Sequence, residues 1–238
     1  MQTLLNKKVL VVGATGGIGS ETVRLLHASS AVVYATSTNA AKLAELATAV
    51  GIPSERCFVM DITNAEAVER VAASIHAAVG ALDIVINAAG IGIIKPLETL
   101  TYDDFNRSLD VNLRGTFHLL KSLLPPMKTR GEGLIINLPG VLGKTPMAGA
   151  MAYSASKYGL NGMLKSVREE LKRTNVRITN LYLGGTDSPF WDEIDLRVQR
   201  DKFVTAKEAA KSIWFLCQQP SSGVVSEMVL QPFNHQAI

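Results

Sequence analysis

The sequence has few of the features that define several large protein classes. Its 238 residues include only two cysteines, Cys57 and Cys217, which have no CxxC spacing. This excludes a disulfide scaffold and predicts two reduced core thiols in a cytoplasmic protein. No apolar run approaches the roughly 20 residues that cross a bilayer, so no membrane segment is predicted.

Neither sign of charge dominates, and no residues have the spacing of a metal site. The 24 basic and 21 acidic residues are well mixed, with a formal charge of +3. The densest basic stretch, 165–173, also contains Glu169 and Glu170, which favours a solvated helix face over a nucleic-acid surface. We therefore expect no nucleic-acid, membrane or metal partner. The histidines, which lack metal-ligand spacing, are His27, His76, His118 and His235.

Short apolar runs alternate with longer amphipathic segments, and no linker or repeat interrupts them. The runs predict buried strands at Val9–Val12, Ala31–Ala35, Phe58–Met60, Leu82–Ile86, Leu134–Leu138, Ile178–Leu183 and Met228–Leu230. The segments between them predict helices at Gly19–Ala28, Ala40–Val50, Ala65–Ala78 (with Asn64 as N-cap), Tyr102–Leu124 and Ala152–Arg173. This alternation predicts an α/β fold: one domain over residues 1–238, built on a doubly wound sheet of about seven parallel strands with helices on both faces.

A glycine-rich turn follows the first predicted strand at once. Gly13, Gly17 and Gly19 allow a tight turn and let backbone N–H groups approach a pyrophosphate, which a helix N-terminus also attracts. Their spacing is Gly-x-x-x-Gly-x-Gly, not the general Gly-x-Gly-x-x-Gly fingerprint. Because ligands of doubly wound sheets bind at the carboxyl ends of strands, the position favours phosphate binding over purely structural glycines.

Two later strands also end in residues suited to a nucleotide. Asp61 closes the third strand, where its carboxylate can accept a hydrogen bond from adenine; an ordinary turn residue is the alternative. The segment Asn87–Gly90 closes the fourth strand, and its small residues let a flat ring lie against the backbone.

Tyr153 and Lys157 lie four residues apart in a predicted helix and therefore share one face. A phenol normally ionises near pH 10, and an ammonium within ~4–6 Å lowers that pKa by roughly 1–3 units. The pair therefore predicts a proton-transfer device. A surface pair is the alternative when the two residues are taken alone.

Together these motifs resemble the short-chain dehydrogenase/reductase family over essentially the whole chain. Four motifs occur in the family's order and spacing: Gly13–Gly19, Asn87–Gly90, Asn112 within 110–115, and Tyr153–Lys157. The resemblance implies a Rossmann fold, a nicotinamide cofactor, and hydride transfer to or from a carbonyl or alcohol carbon of a small molecule. It also implies a homodimer or homotetramer.

The resemblance implies roles for individual residues. Tyr153 becomes the general acid/base, Lys157 lowers its pKa and binds the nicotinamide ribose, and Asn112 holds a relay water against Lys157. The implied cofactor-binding positions are Gly13, Thr15, Gly17, Ile18, Gly19, Thr36, Ser37, Thr38, Asp61, Ile62, Asn87, Ala88, Ala89, Gly90, Tyr153, Lys157, Gly184 and Ser188.

One departure from the family's pattern concerns catalysis. Gly140 stands thirteen residues before Tyr153, where the family has a serine that polarises the substrate carbonyl. Losing one such donor typically costs ~10²–10³ in rate, which predicts a slow enzyme rather than an inactive one. Thr145 is a possible substitute or a structural loop residue. The alternative function is a catalytically weak or inactive nucleotide-binding protein that acts as a sensor or binding partner.

The end of the second strand bears on cofactor choice. An NAD enzyme needs an acid there for the ribose 2′-OH, but the chain has Thr36, Ser37 and Thr38, whose hydroxyls can donate to a 2′-phosphate. No arginine accompanies them in the sequence. We expect NADP(H) to be preferred over NAD(H). The amphipathic segment 190–202 is expected to cover the nicotinamide end of the site.

Overall fold

The computed structural model describes residues 3–233. The strands are β1 Lys8–Val12, β2 Val32–Ser37, β3 Cys57–Val59, β4 Ile84–Asn87, β5 Glu132–Asn137, β6 Asn175–Leu183, β7 Thr186–Asp187, β8 Val204–Thr205 and β9 Glu227–Leu230. Seven of them form one sheet in the order β3-β2-β1-β4-β5-β6-β9, and every pairing in it is parallel. The predicted sheet of about seven parallel strands is confirmed. β7 and β8 form a separate ribbon.

Helices cover both faces of the sheet. They are α1 Gly17–Ala28, α2 Ala40–Val50, α3 Ala65–Val79, α4 Tyr102–Leu109, α5 Gly115–Arg130, α6 Met151–Leu171 and α7 Ala206–Leu216. Successive strand residues point to opposite faces, so Val9 and Val11 of β1 lie in one core with α1, α2 and α7. Leu10 and Val12 lie in the other core with α3, α5 and α6. This two-sided burial is why the strands are apolar throughout.

Most predicted elements are present, with differences in two helices. Asn64 caps α3 as predicted, accepting a hydrogen bond from the Ala67 backbone N–H at 3.0 Å. The single helix predicted from Tyr102 to Leu124 is instead interrupted by a π-helical turn, Asp110–Arg114, and continues to Arg130. α7 was not predicted, although the capping box formed by Thr205 and Glu208 is a local signal for its start.

The order of strands in the sheet reverses between β1 and β4, which are neighbours. Chain connections leave these two strands toward opposite edges, which opens a crevice at their carboxyl ends. The glycine-rich turn after β1 and the segment after β4 both lie at this crevice, so the topology alone brings the two sequence motifs together.

Within residues 3–233, no helix is long and apolar enough to cross a membrane. The same part of the chain contains no group of three His, Cys, Asp or Glu side chains that could hold a metal ion. Cys217 is buried and Cys57 half-buried, both as free thiols. His235 lies outside the described residues.

Candidate active site

A cavity of about 930 Å³ opens at the carboxyl ends of the central strands. Its floor is formed by the glycine-rich turn, by Ala88–Gly90, and by Tyr153 and Lys157 of α6. Its roof is formed by a segment that we call the lid, residues 188–203, of which Ser188, Phe190 and Trp191 line the cavity. The predicted nucleotide motifs and the predicted proton-transfer pair therefore share one cavity.

Gly13 and Gly19 lie so close to other backbone atoms that a side chain would not fit at either position. Gly13 has φ +76°, and a Cβ there would lie 2.8 Å from the Ala89 backbone nitrogen. A Cβ on Gly19 would lie 2.1 Å from the Gly13 carbonyl oxygen. Only glycine fits these positions, because real Cβ atoms do not approach backbone atoms so closely. Gly13 thereby holds the turn against the end of β4.

The N-terminus of α1 points into the same cavity. Gly16 is its N-cap and supplies no side-chain cap, and the first turn of the helix contains no acidic residue. The first backbone N–H groups of a helix lack partners inside it and attract anions. Gly16, Gly17, Ile18 and Gly19 all line the cavity. This turn suits a pyrophosphate.

Asn112 ties the segment after β4 to the helix that carries the predicted catalytic pair. Its Oδ1 accepts from the Ile91 N–H at 3.0 Å, and its Nδ2 donates to the Ile91 carbonyl and to Ser156 Oγ, each at 3.0 Å. A Cβ on Gly90 would lie 3.1 Å from Asn112 Oδ1 and 3.3 Å from Lys157 Nζ. Asn112 lies in the π-helical turn, a feature often found at functional sites. The Asn112 side chain therefore fixes the segment after β4 relative to α6.

The tyrosine and lysine meet across one turn of α6. Lys157 Nζ lies 5.5 Å from the centre of the Tyr153 ring and donates to the Leu138 carbonyl at 3.2 Å. Burial lowers the pKa of Lys157 from 10.5 to about 8. Burial also raises the pKa of Tyr153 above its usual value. Burial therefore dominates the pKa of Tyr153 in this structure, and the expected lowering by Lys157 stays a prediction.

The depressed pKa of Lys157 predicts a stability effect. Below pH 8 the folded protein must bury an ammonium, which costs on the order of 3 kcal/mol. Unfolded protein holds that proton up to about pH 10.5, so the folded state binds fewer protons between these values and stability rises with pH there. We expect Lys157→Met to stabilise the protein at neutral pH, by an amount that shrinks across this window.

Urea denaturation at several pH values, without added cofactor, measures this effect. Lys121→Met on α5 is the matched control, since Lys121 is exposed and its substitution leaves the pH profile unchanged. A Lys157→Met protein whose stability tracks the wild type at every pH would contradict the buried-ammonium account.

Gly140, where the resemblance to the family implies a serine, lies beside the tyrosine. A Cβ built on Gly140 would lie 3.5 Å from the Tyr153 hydroxyl and 3.6 Å from the Leu183 carbonyl oxygen, so there is room for a side chain. The backbone, however, has φ +70° and ψ 164°, a conformation used almost only by glycine. Thr145 lines the same cavity, and its hydroxyl forms no hydrogen bond with other residues in the range 3–233.

A second cavity of about 610 Å³ continues past the glycine-rich turn. Of the residues that the resemblance implies at the adenosine end, it is lined by Gly13, Thr15, Ser37, Thr38, Asp61, Ile62 and Ala88–Gly90. Thr15 and Ser37 share a hydrogen bond of 2.6 Å between their hydroxyls, which joins the turn to the end of β2. The cavity thus has the position expected for an adenosine.

Thr36 and Arg107 differ from the sequence-based expectations in this region. Thr36 is fully buried and does not line the cavity, because alternate residues of β2 point to opposite faces; its assignment as a phosphate donor is wrong. Asp61 lines the cavity as expected, and it also accepts hydrogen bonds from the backbone and hydroxyl of Thr63, as a turn residue does. Arg107 of α4 lines the same cavity as Thr38, and sequence reasoning missed it because α4 is remote from β2 along the chain.

The lid is held down at both ends. Ser188 packs on the glycine-rich turn, since a Cβ on Gly17 would lie 2.7 Å from Ser188 Cβ. Phe190 lies against Tyr153 with ring centres 5.9 Å apart. Arg200 donates to Asp187 and Asp192, each at 2.6 Å, and to the Ser188 carbonyl at 3.1 Å. The lid therefore closes over the tyrosine.

Gly184 completes the wall beside the lid. A Cβ on Gly184 would lie 3.0 Å from Pro232 Cδ, so the turn after β6 packs closely against the chain after β9. Gly184, Gln231 and Pro232 all line the larger cavity. Asn87, the remaining predicted position, is buried and donates to Thr116 Oγ1 at 2.9 Å, which fixes the end of β4 without reaching the cavity.

These residues fit a dinucleotide. The two cavities share Gly16 of the glycine-rich turn and Ala88–Gly90, so they meet at the turn. A cofactor with two nucleotide halves and a pyrophosphate between them matches that arrangement. Fold and cavity together define a Rossmann-type dinucleotide-binding protein.

Comparison with known proteins identifies the family. Residues 7–199 match the short chain dehydrogenase family, and the chain belongs to it. An uncharacterized oxidoreductase of Staphylococcus epidermidis is 28% identical over 232 residues, covering 98% of this chain and 100% of that protein. The protein is thus an oxidoreductase of the short-chain dehydrogenase/reductase type.

Two solved structures are similar over almost the full length. A metagenomic short-chain oxidoreductase in complex with NADP is 27% identical, with a TM-score of 0.83 and coverage of 97% of this chain and 99% of that one. Serine dehydrogenase from Escherichia coli is 25% identical, with a TM-score of 0.85 and coverage of 96% and 99%.

Proposed function

We propose that the protein is an NADP(H)-dependent oxidoreductase that interconverts a carbonyl and an alcohol. The observation that carries this is the placement of Tyr153 and Lys157 in the wall of one cavity together with the glycine-rich turn. When bound, the nicotinamide cofactor supplies or accepts the hydride. Gly13, Gly17 and Gly19 would hold its pyrophosphate, and Thr15, Ser37, Thr38, Asp61 and Ile62 would surround its adenosine.

The protein itself supplies the proton donor for the reaction, the hydroxyl of Tyr153. Because burial raises its pKa, Tyr153 stays protonated at neutral pH and is suited to donate a proton to a carbonyl oxygen. Lys157 would bind the cofactor ribose and supply the nearby charge, and Asn112 positions the segment after β4 through its hydrogen bonds to Ile91.

A screen of aldehydes and ketones, followed by NADPH absorbance, tests this function. We expect at least one carbonyl class to be reduced. Tight NADPH binding without reduction of any carbonyl would instead favour the second candidate, a nucleotide-binding sensor or partner protein, which the missing serine at Gly140 supports. A cytoplasmic location and a homodimeric or homotetrameric state stay predictions.

The residues of the second cavity bear on the preference for NADPH or NADH. Ser37 and Thr38 line the second cavity with Arg107, whose guanidinium suits a 2′-phosphate. Three carboxylates, Asp61, Asp103 and Asp110, line the same cavity, and Asp61 and Asp110 are already engaged by Thr63 and Arg114. We expect NADPH to bind more tightly than NADH.

Substitution tests that preference directly. Ser37→Asp should weaken NADPH binding by at least about tenfold, because a carboxylate repels the 2′-phosphate, and should favour NADH. Thr36→Val is the matched control, since the buried Thr36 does not line the cavity. Fluorescence titration with both cofactors measures the ratio. Equal effects of the two substitutions, or tighter NADH binding by the wild type, would reject NADP(H) preference.

Restoring the missing serine should have two opposing effects. Gly140→Ser places a hydroxyl beside Tyr153, but at φ +70° a non-glycine residue costs about 1–3 kcal/mol of stability. Gly140→Ala carries the same strain without the hydroxyl and is the matched control. We expect Gly140→Ser to reduce a simple ketone up to ~10²-fold faster than Gly140→Ala. Equal turnover would show that another group, such as Thr145, already polarises the carbonyl.

A further inference from the structure

The lid presents charge of one sign to the large cavity. Residues 188–203 contain four acidic side chains, Asp192, Glu193, Asp195 and Asp201, and none of them lines the cavity. Arg197 and Lys202 of the same segment do line it. The only other charged side chain in its wall is Lys157, on the floor. No carboxylate of the described chain faces this space.

Arg197 and Lys202 differ from Arg200, the third basic residue of the lid. Arg200 is held by Asp187 and Asp192 and serves the fold of the lid. Arg197 and Lys202 form no ion pair with any residue in the range 3–233. Two cations near a cavity with no carboxylate in its wall are available to a ligand anion.

Most of the remaining side chains in the upper cavity are apolar, although Thr145 and Gln199 also line it. Its wall is formed by side chains from the loop after β4, the loop after β5 and the lid: Ile94, Val141, Leu142, Met147, Phe190, Trp191, Leu196 and Val198. A ligand that fills this space therefore needs an apolar body, while the basic edge favours a negative charge at one end.

We propose that the substrate is an oxo acid with an apolar body, whose carboxylate is bound by Arg197 and Lys202 while its carbonyl reaches Tyr153. This rests on the proposed reductase function. The carbonyl is reduced to an alcohol by the hydride from the reduced cofactor and the proton from Tyr153, and the carboxylate is unchanged. The product is a hydroxy acid.

The reading that competes with this proposal is that both cations serve the cofactor pyrophosphate, because the glycine-rich turn lines the same cavity. The two hypotheses predict different effects of removing the cations. In the first, the substrate acid loses affinity; in the second, NADPH loses affinity. Cations that bind a substrate carboxylate distinguish an acid from its neutral amide or ester. Cations that bind the cofactor change NADPH affinity and leave that distinction intact.

Calorimetry with an unreactive ligand pair separates them without requiring turnover. Phenylbutyrate and phenylbutyramide are titrated into the NADP-loaded protein, using the wild type, Arg197→Gln, Lys202→Gln and the double variant. We expect the acid to bind about tenfold more tightly than the amide, with about threefold lost for each substitution. Amide binding and NADPH affinity should stay unchanged. Lys207→Gln on α7 removes the same charge outside the cavity and should leave all values unchanged.

A second measurement uses turnover, comparing kcat/KM for benzoylpropionate and its methyl ester. The acid should be favoured by a similar factor, and the preference should fall as salt is added. Equal binding of acid and amide by the wild type overturns the proposal. So does a double variant that loses NADPH affinity while keeping its preference for the acid, or an equal loss in Lys207→Gln. A failure of the reductase function alone would leave the acid-over-amide binding intact and abolish only turnover.

Discussion

Replacing Tyr153 by phenylalanine should lower carbonyl reduction by about 10²–10⁴-fold, the usual contribution of a positioned general acid. The substitution removes only the hydroxyl. The ring keeps its contact with Phe190 at 5.9 Å between centres, so the lid and the cavity should stay intact. NADPH affinity should change by no more than a few-fold, because no phosphate-binding group is altered.

Single-turnover oxidation of NADPH measures this loss, and fluorescence titration measures cofactor affinity. Tyr102→Phe is the matched control: Tyr102 is 92% exposed and lies outside both cavities. It should retain full activity. A Tyr153→Phe protein with more than a tenth of wild-type activity would assign proton transfer to another group and refute the catalytic proposal.

The second large effect is expected at the glycine-rich turn. Gly19→Ala would place a Cβ 2.1 Å from the Gly13 carbonyl oxygen, an approach that forces the turn away from α1. Overpacking of this kind typically costs 1–3 kcal/mol. The displaced turn would also misplace the backbone N–H groups proposed to bind the pyrophosphate. We expect a lower melting temperature and no measurable NADPH binding.

Gly162→Ala on α6 provides the matched control, because it adds the same methyl group outside both cavities. No atom lies within 4 Å of a Cβ built on Gly162. Thermal denaturation and NADPH titration of both variants should show a small effect for Gly162→Ala and a large one for Gly19→Ala. Equal effects would mean that the close contact at Gly19 relaxes without cost.

Some features of the protein could be predicted from short stretches of sequence. The buried strands appear as apolar runs because each parallel strand is covered on both faces, as for Val9–Val12. Asn64 caps its helix because a cap is an interaction between residues close in sequence. The glycines and the Tyr153–Lys157 pair were also identified, since one helical turn or one tight turn sets their geometry.

Other features depended on contacts between distant segments. Thr36 and Ser37 are adjacent in sequence, yet only Ser37 lines a cavity, because the pleat of β2 turns Thr36 into the core. Arg107 reaches the same cavity from a helix remote in sequence. Burial raises the pKa of Tyr153, and burial is a property of the packed site and not of the pair.

The sequence by itself therefore determined the family, the order along the chain of the seven sheet strands and of most helices, and the identity of the catalytic candidates, all of which follow from patterns within a few residues. Only the tertiary structure decided which hydroxyls face the nucleotide, that Gly140 adopts a backbone conformation that opposes a serine, and which lid charges face the cavity. The physical reason is that exposure, electrostatic environment and backbone strain are set by neighbours that the chain brings together only on folding.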